Sequence, residues 1–193
     1  MPSVPNARVL IVATDGFEEW ELFGPRQMLQ QRGAEVLLAS LNMDPIQGTV
    51  HDDPGKTIRP DMTIDEARAD DFDALILPGG VRNPDQLRMH RNVIALIQSF
   101  ADQEKPIAAI CHGPWLLVEA DLVRGRTVTS WPSIRTDLRN AGANVVDEPS
   151  VTDGKIVTSR NPDDVEAFTN ALVDLIEDMP EVEEIREPSE LPA

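Results

Sequence analysis

The chain has 193 residues and carries 17 basic against 34 acidic side chains, a formal net charge of −17. Such a surface repels phosphate backbones and excludes nucleic acid as the expected partner; no stretch has the length of a membrane span or the basic-then-apolar start of a signal peptide. One cysteine excludes an internal disulfide, and three histidines (His51, His90, His112) make no zinc-spaced cluster, so a soluble, cytoplasmic protein with no metal or other cofactor is expected.

Residues 1–7, with two prolines, read as a loose arm. Arg8 to Ala13 is an apolar run that reads as a buried strand, and Thr14-Asp15-Gly16-Phe17 turns out of it. Helical spacing runs from Glu18 to Arg32 and stops at Gly33; Pro25 inside it predicts a helix that begins or kinks there. Glu35 to Ala39 is a second strand, completing a β-α-β unit that implies a parallel sheet. Ile46 to Val50 and Lys56 to Arg59 are candidates for a hairpin. Asp73 to Leu77 is a third core strand, ended by Pro78-Gly79-Gly80 and followed by a long loop through Asn83-Pro84-Asp85. A helix is predicted over Val93 to Ala101, and a short buried strand over Ile107 to Ile110. Beyond these, Val128 opens an extended piece, and Ser133 to Asn140 reads as a helix closed by Gly142. Val145-Val146 and Ile156 to Ser159 are late strands, and Pro162 to Asp178 is a strongly amphipathic last helix. Residues 179–193 are Glu- and Pro-rich and read as a solvated tail. Strands alternating with helices argue one α/β domain over residues 8–178, a three-layer sandwich around a mostly parallel, doubly wound, flavodoxin-like sheet.

The single cysteine, Cys111, stands where the Ile107–Ile110 strand meets the helix announced by Gly113-Pro114-Trp115. A lone cysteine is most often a small buried hydrophobe. Here an apolar strand leads straight in, His112 is adjacent, and Gly113 permits a tight turn, which is the arrangement of a nucleophile elbow. At such a turn the following N–H groups and the helix N-terminus favour thiolate over thiol. In doubly wound sheets ligands bind beyond the carboxyl ends of the strands, and three loops meet there: Asp15 to Glu18, Pro78 to Gly80, and Cys111-His112.

A cysteine nucleophile needs a base and an orienting group. His112 is the nearest base by sequence. Glu18 directly follows the first strand, where a carboxyl could reach the sulfur; next to a thiolate it would hold its proton. Glu19 and Glu21 compete with it for that place. Gly79 and Gly80 could bring backbone N–H groups to an oxyanion, although Pro-Gly-Gly is also an ordinary turn. Of the two tryptophans near the site, Trp115 has a core position on its helix and Trp131 is the better rim candidate.

The sequence Ala109-Ile110-Cys111-His112-Gly113-Pro114 resembles the elbow of the PfpI intracellular-protease family, which is related to the parkinsonism-associated protein deglycase and to class I glutamine amidotransferase-like folds. The similarity runs from about Arg8 to Asp178. It includes Gly16-Phe17-Glu18-Glu19-Trp20-Glu21-Leu22, the strand Phe72 to Leu77 with Pro78-Gly79-Gly80, Asn83-Pro84-Asp85, Leu122 to Arg126, and Thr158-Ser159-Arg160. The resemblance implies Cys111 as nucleophile, Glu18 as the protonated acid hydrogen-bonded to it, His112 as base, and backbone donors from Gly80 and His112. It also implies a homodimer or higher homo-oligomer, in which Asp85 takes the place of an acid that orients the histidine from a neighbouring subunit. An aspartate there is shorter by a methylene than the usual glutamate. Amidotransferases of the related group use a histidine far downstream of the cysteine; none follows His112, so that triad is absent.

The resemblance implies a stress-protective cysteine hydrolase acting on methylglyoxal or glyoxal adducts of small molecules, peptides or proteins. Two alternatives stand beside it: an intracellular peptidase of small peptides, and a non-enzymatic oxidative-stress sensor or chaperone working through oxidation of Cys111.

Overall fold

The computed structural model describes residues 4–51 and 53–179. In chain order its strands are β1 (Arg8–Val12), β2 (Phe17–Glu18), β3 (Glu35–Ser40), β4 (Ile46–Val50), β5 (Asp53–Ile58), β6 (Met62–Thr63), β7 (Ala74–Leu77), β8 (Ile107–Ile110), β9 (Thr127–Val128), β10 (Asn144–Val145), β11 (Ser150–Asp153) and β12 (Ile156–Ser159). The helices are α1 (Glu19–Gln31), α2 (Arg82–Leu87), α3 (Arg91–Asp102), α4 (Pro114–Glu119), α5 (Arg135–Asn140) and α6 (Val165–Glu177). Seven strands form the central sheet in the order β11-β12-β8-β7-β1-β3-β6. Every neighbouring pair is parallel except β11 with β12.

Alternation along the central strands builds two cores, one on each face of the sheet. Val9 and Ile11 of β1, Ile76 of β7 and Ile110 of β8 face α1 and α6, where Leu29 and Phe168 are fully buried. Leu10, Val12, Leu75 and Leu77 face the opposite way, against Ile97 and Phe100 of α3 and Leu116 of α4. The doubly wound α/β sandwich expected from the sequence is the fold observed.

Four local expectations are corrected. Helix α1 does not begin at Pro25 but runs through it, from Glu19 to Gln31. The missing proline N–H leaves the helix one bond short, yet Leu22, Pro25 and Leu29 are buried on one side of it, and packing carries the segment. The loop after β7 contains the short helix α2, because the buried Asn83 side chain ties the turn down. Strand β11 escaped the sequence reading because Ser150-Val151-Thr152-Asp153 is a polar edge strand with no apolar run to betray it. Val4 and Ala7 are buried in the core, so the arm is packed from Val4 onward. Residues 1–3 and the tail from Pro180 lie outside the described residues. Among the described residues no helix is long and apolar enough to cross a membrane.

Close backbone packing delivers the elbow. A Cβ on Gly113 would strike the Leu77 carbonyl oxygen and stand 2.8 Å from the Ile110 carbonyl oxygen. Gly113→Ala is therefore expected to lower the unfolding free energy by about 1–3 kcal/mol or more, measured by denaturant titration; an unchanged midpoint would mean that the elbow yields.

Candidate active site

Cys111 follows β8 with φ +63°, a left-handed conformation rarely held by a residue with a side chain. Three backbone hydrogen bonds keep it there. The Cys111 N–H donates to the Ser159 carbonyl at 3.0 Å, the Trp131 N–H to the Cys111 carbonyl at 3.0 Å, and the Gly113 N–H to the Ile110 carbonyl at 2.8 Å. The turn points the sulfur into a pocket of about 330 Å³ whose wall includes Glu18, Glu21, His51, Gly80, His112 and Trp131.

The carboxyl at the sulfur belongs to Glu21, not to Glu18. Glu21 is fully buried, accepts a hydrogen bond from the Gly79 N–H at 2.8 Å, and lines the pocket beside Cys111. Its Oε1 has no hydrogen-bond partner among the described residues. Glu18 lies in the same pocket, but its carboxylate accepts from the His51 N–H at 3.1 Å. Burial raises Glu18 and the His51 N–H opposes that rise. The physical reason for the exchange is helical: residue 21 lies on the buried side of α1 with Leu22, Pro25 and Leu29, whereas residue 18 precedes the helix.

Gly79 and Gly80 also part company. The Gly79 N–H is committed to Glu21, so Gly79 is not an oxyanion donor; it positions the acid. A Cβ on Gly79 would lie 2.6 Å from both the Cys111 Cβ and a Glu21 oxygen, so only glycine fits between them. The Gly80 and His112 N–H groups face the sulfur, as an oxyanion site requires. Gly80 has φ +74°, and a Cβ there would collide with the Gly16 carbonyl oxygen.

Asn83, absent from the sequence reading of the site, joins two of the converging loops. It accepts from the Thr14 N–H at 2.8 Å and donates to the carbonyls of Pro78 at 2.9 Å and Gly79 at 3.1 Å. This buried amide fixes the loop after β1 against the loop after β7, and with it the Gly79 N–H that holds Glu21.

His112 is buried beside the nucleophile, with Nδ1 3.2 Å from the Cys111 sulfur and Nε2 3.2 Å from the Ser133 hydroxyl. Its ring stacks on Trp131 at 6.0 Å and tilts against Trp115 at 5.3 Å. Trp131 lines the pocket and is itself exposed. Trp115 supports the imidazole from behind, its indole N–H donating to Asp137 at 2.8 Å. Asp85 is exposed on α2 and does not line the pocket, so within one chain it does not orient His112. Among the described residues no group of three His, Cys, Asp or Glu side chains is placed to hold a metal ion.

The electrostatics follow from burial. Burial raises the Glu21 carboxyl to about 8, against the pull of the Gly79 N–H. Burial also raises the Cys111 thiol, and an ionised Glu21 beside it would raise it further, while the Gly80 and His112 N–H groups work in the opposite direction. Cys111 and Glu21 therefore titrate as a pair, and both cannot be charged at once. Sulfur has two backbone donors and an imidazole nitrogen near it, and Glu21 has one N–H, so the donors favour the charge on sulfur and the proton on Glu21. Desolvation lowers His112 to about 4, leaving a neutral imidazole at neutral pH. The set can attack an electrophilic carbon with sulfur, hold an oxyanion with two N–H groups, and carry a proton on Glu21 or His112.

These shifts have opposite consequences for stability. Between about pH 4.5 and 8 the folded chain holds a Glu21 proton that the unfolded chain releases, so stability falls as pH rises. His112 contributes stability above its unfolded value of 6.5, which is lost as pH falls toward 4. Between pH 6.5 and 8 the Glu21 effect dominates, because the raised Cys111 thiol costs stability only as pH nears its unfolded value of 9.0. Thermal melts should therefore show wild type losing stability from pH 6.5 to 8, and Glu21→Gln losing markedly less; parallel curves would mean that Glu21 is already ionised.

Residues 7–175 match the DJ-1/PfpI family. Deglycase TK1284 of Thermococcus kodakarensis is 40% identical over 88% of this chain and 99% of that protein. A two-domain protein from Anabaena variabilis, with DJ-1/ThiJ/PfpI-like and ferritin-like domains, superposes with a TM-score of 0.84 at 34% identity. That match covers 94% of this chain and 52% of the other, so this chain spans about half of the two-domain protein. Drosophila melanogaster DJ-1beta superposes with a TM-score of 0.81 at 29% identity, over 89% of this chain and 91% of that one. With its elbow cysteine, its buried acid and a match over most of its length, the chain belongs to the DJ-1/PfpI family.

Proposed function

We propose that the protein is a cysteine hydrolase that removes reactive-carbonyl adducts, such as those of methylglyoxal and glyoxal, from amine, guanidine and thiol groups. The observation that carries this reading is the meeting of the Cys111 sulfur, the His112 imidazole at 3.2 Å and the fully buried Glu21 carboxyl in one pocket large enough for a small adduct. The deglycase name of a relative 40% identical to the chain supports it.

Hydrolysis of a methylglyoxal adduct releases the free side chain and a 2-hydroxy acid. The net change adds one water, oxidises the former aldehyde carbon and reduces its neighbour, so no outside oxidant is consumed. The chemistry calls for a nucleophile at one carbon and a group that takes a proton from one carbon and returns it to the next. Sulfur at Cys111 supplies the first. Glu21 and His112, both neutral around pH 7 and both in contact with the sulfur, supply the second. The oxyanion formed on attack is met by the Gly80 and His112 N–H groups. Trp131, Pro162 and Val81 line the mouth.

The working unit in this reading is at least a dimer, and Asp85, exposed on α2, is available to a neighbouring chain. Light scattering at micromolar concentration should return at least twice the chain mass; a strict monomer with full activity would remove any intersubunit role for Asp85.

Purified protein given an arginine–methylglyoxal adduct should release free arginine and lactate, followed by chromatography. Cys111→Ser should lose this activity by roughly 10³-fold or more, as loss of a nucleophile does, with its thermal midpoint nearly unchanged. Cleavage of a fluorogenic peptide without action on the adduct would transfer the reading to a peptidase. Turnover of neither, with peroxide oxidation of Cys111, would transfer it to a redox sensor.

A further inference from the structure

We infer that Ser133 is the residue that positions His112 on the nucleophile. The inference rests on Cys111 being the reactive group, as in the function proposed above, but not on what the sulfur attacks.

His112 presents Nδ1 to the sulfur and Nε2 to the Ser133 hydroxyl, each at 3.2 Å. An imidazole has two nitrogens, and what meets one decides what the other can do. Two ring contacts, with Trp131 and Trp115, restrict how the imidazole sits but carry no preference for either nitrogen. Within the chain, the Ser133 hydroxyl is the polar side chain hydrogen-bonded to Nε2 among the described residues.

The turn that carries Ser133 is built on the elbow itself. Pro132 to Ile134 form a single tight 3₁₀ turn, and Pro132 sets its first residue. The Trp131 N–H at its start donates to the carbonyl of Cys111, and Ile134 at its end is buried. The hydroxyl is thereby placed relative to the same backbone that places the sulfur. Its geometry does not depend on a second chain.

A hydroxyl suits this place for a chemical reason. It both donates and accepts, so it stays bonded to Nε2 whichever nitrogen of the neutral ring carries the proton, and also when both do. A carboxylate only accepts and would keep a proton on Nε2. With Ser133 at Nε2, His112 can give a proton toward a thiolate from Nδ1 or take one from a thiol without losing its support. The other titratable groups of the pocket are Cys111, Glu21, Glu18 and His51. Ser133 alone among the pocket's polar side chains meets the far nitrogen.

Alkylation of Cys111 by iodoacetamide across a pH series tests the inference without any carbonyl substrate, so its outcome is separate from that of the hydrolysis assay. Ser133 is exposed and its replacement leaves no core cavity. Ser133→Ala is expected to slow alkylation at neutral pH about fivefold, the weight of one neutral hydrogen bond, and to shift the midpoint of the pH profile. Ser133→Thr, which keeps the hydroxyl, should restore both. Nitrogen chemical shifts of the His112 ring should change in Ser133→Ala and return in Ser133→Thr, while thermal midpoints stay together. If Ser133→Ala alkylates with the wild-type rate and midpoint, or if Ser133→Thr behaves like Ser133→Ala, Ser133 does not position His112.

Discussion

The left-handed backbone at Cys111 is the constraint on which the rest of the site depends. A non-glycine residue in that region stores of order 1–3 kcal/mol of strain, and it persists only where surrounding structure over-determines it. Here the surroundings are the sheet itself. One bond reaches β12 through Ser159 and another reaches the turn at Trp131, while Gly113 presses against the backbone of β7 and β8. The conformation places the sulfur where one core meets the pocket, and presents the His112 N–H to it. Relaxing it would move sulfur, donor and imidazole together, because all three belong to adjacent residues.

The second dependence is that one acid must be dry. Glu21 is a carboxyl in the apolar stripe of a helix, next to a sulfur that itself carries charge in the reactive form. In water the carboxyl would ionise below pH 5 and repel the thiolate. Buried, it keeps its proton and becomes a donor. Gly79 fixes where the carboxyl sits, with an N–H whose pull toward ionisation is outweighed by burial and with no side chain to displace it. The turn Pro78-Gly79-Gly80 thus has two unlike tasks in neighbouring residues: the first glycine steadies the acid and the second faces the sulfur.

Much of this was legible in the sequence, and the failures have physical causes. Apolar runs at Arg8 to Ala13, Asp73 to Leu77 and Ile107 to Ile110 located the three central strands, since strands buried on both faces have no choice of residue type. The elbow was legible because Gly113 and Pro114 break a strand next to the only cysteine. The choice of Glu18 over Glu21 failed because helical phase does not separate them, since residue 18 stands four before Leu22 and residue 21 four before Pro25; only the start of α1 at Glu19 leaves residue 18 outside the helix and residue 21 on its buried side. Asn83 and Ser133 could not be found that way. Each acts through a contact across many residues, and neither has a local periodicity that marks it.

Asn83 also has a neighbour that bears on how the site ages. A buried amide that joins two loops is a weak point if it cyclises, since attack of the following backbone nitrogen on the side-chain carbonyl converts asparagine to aspartate. The following residue here is Pro84, which has no N–H with which to attack. Conversion would put a carboxylate where Asn83 now donates to the Pro78 and Gly79 carbonyls. It would turn those contacts repulsive, beside an acid that must remain uncharged. The proline removes the nucleophile for that reaction, so the loop junction is protected from spontaneous deamidation over the lifetime of the molecule.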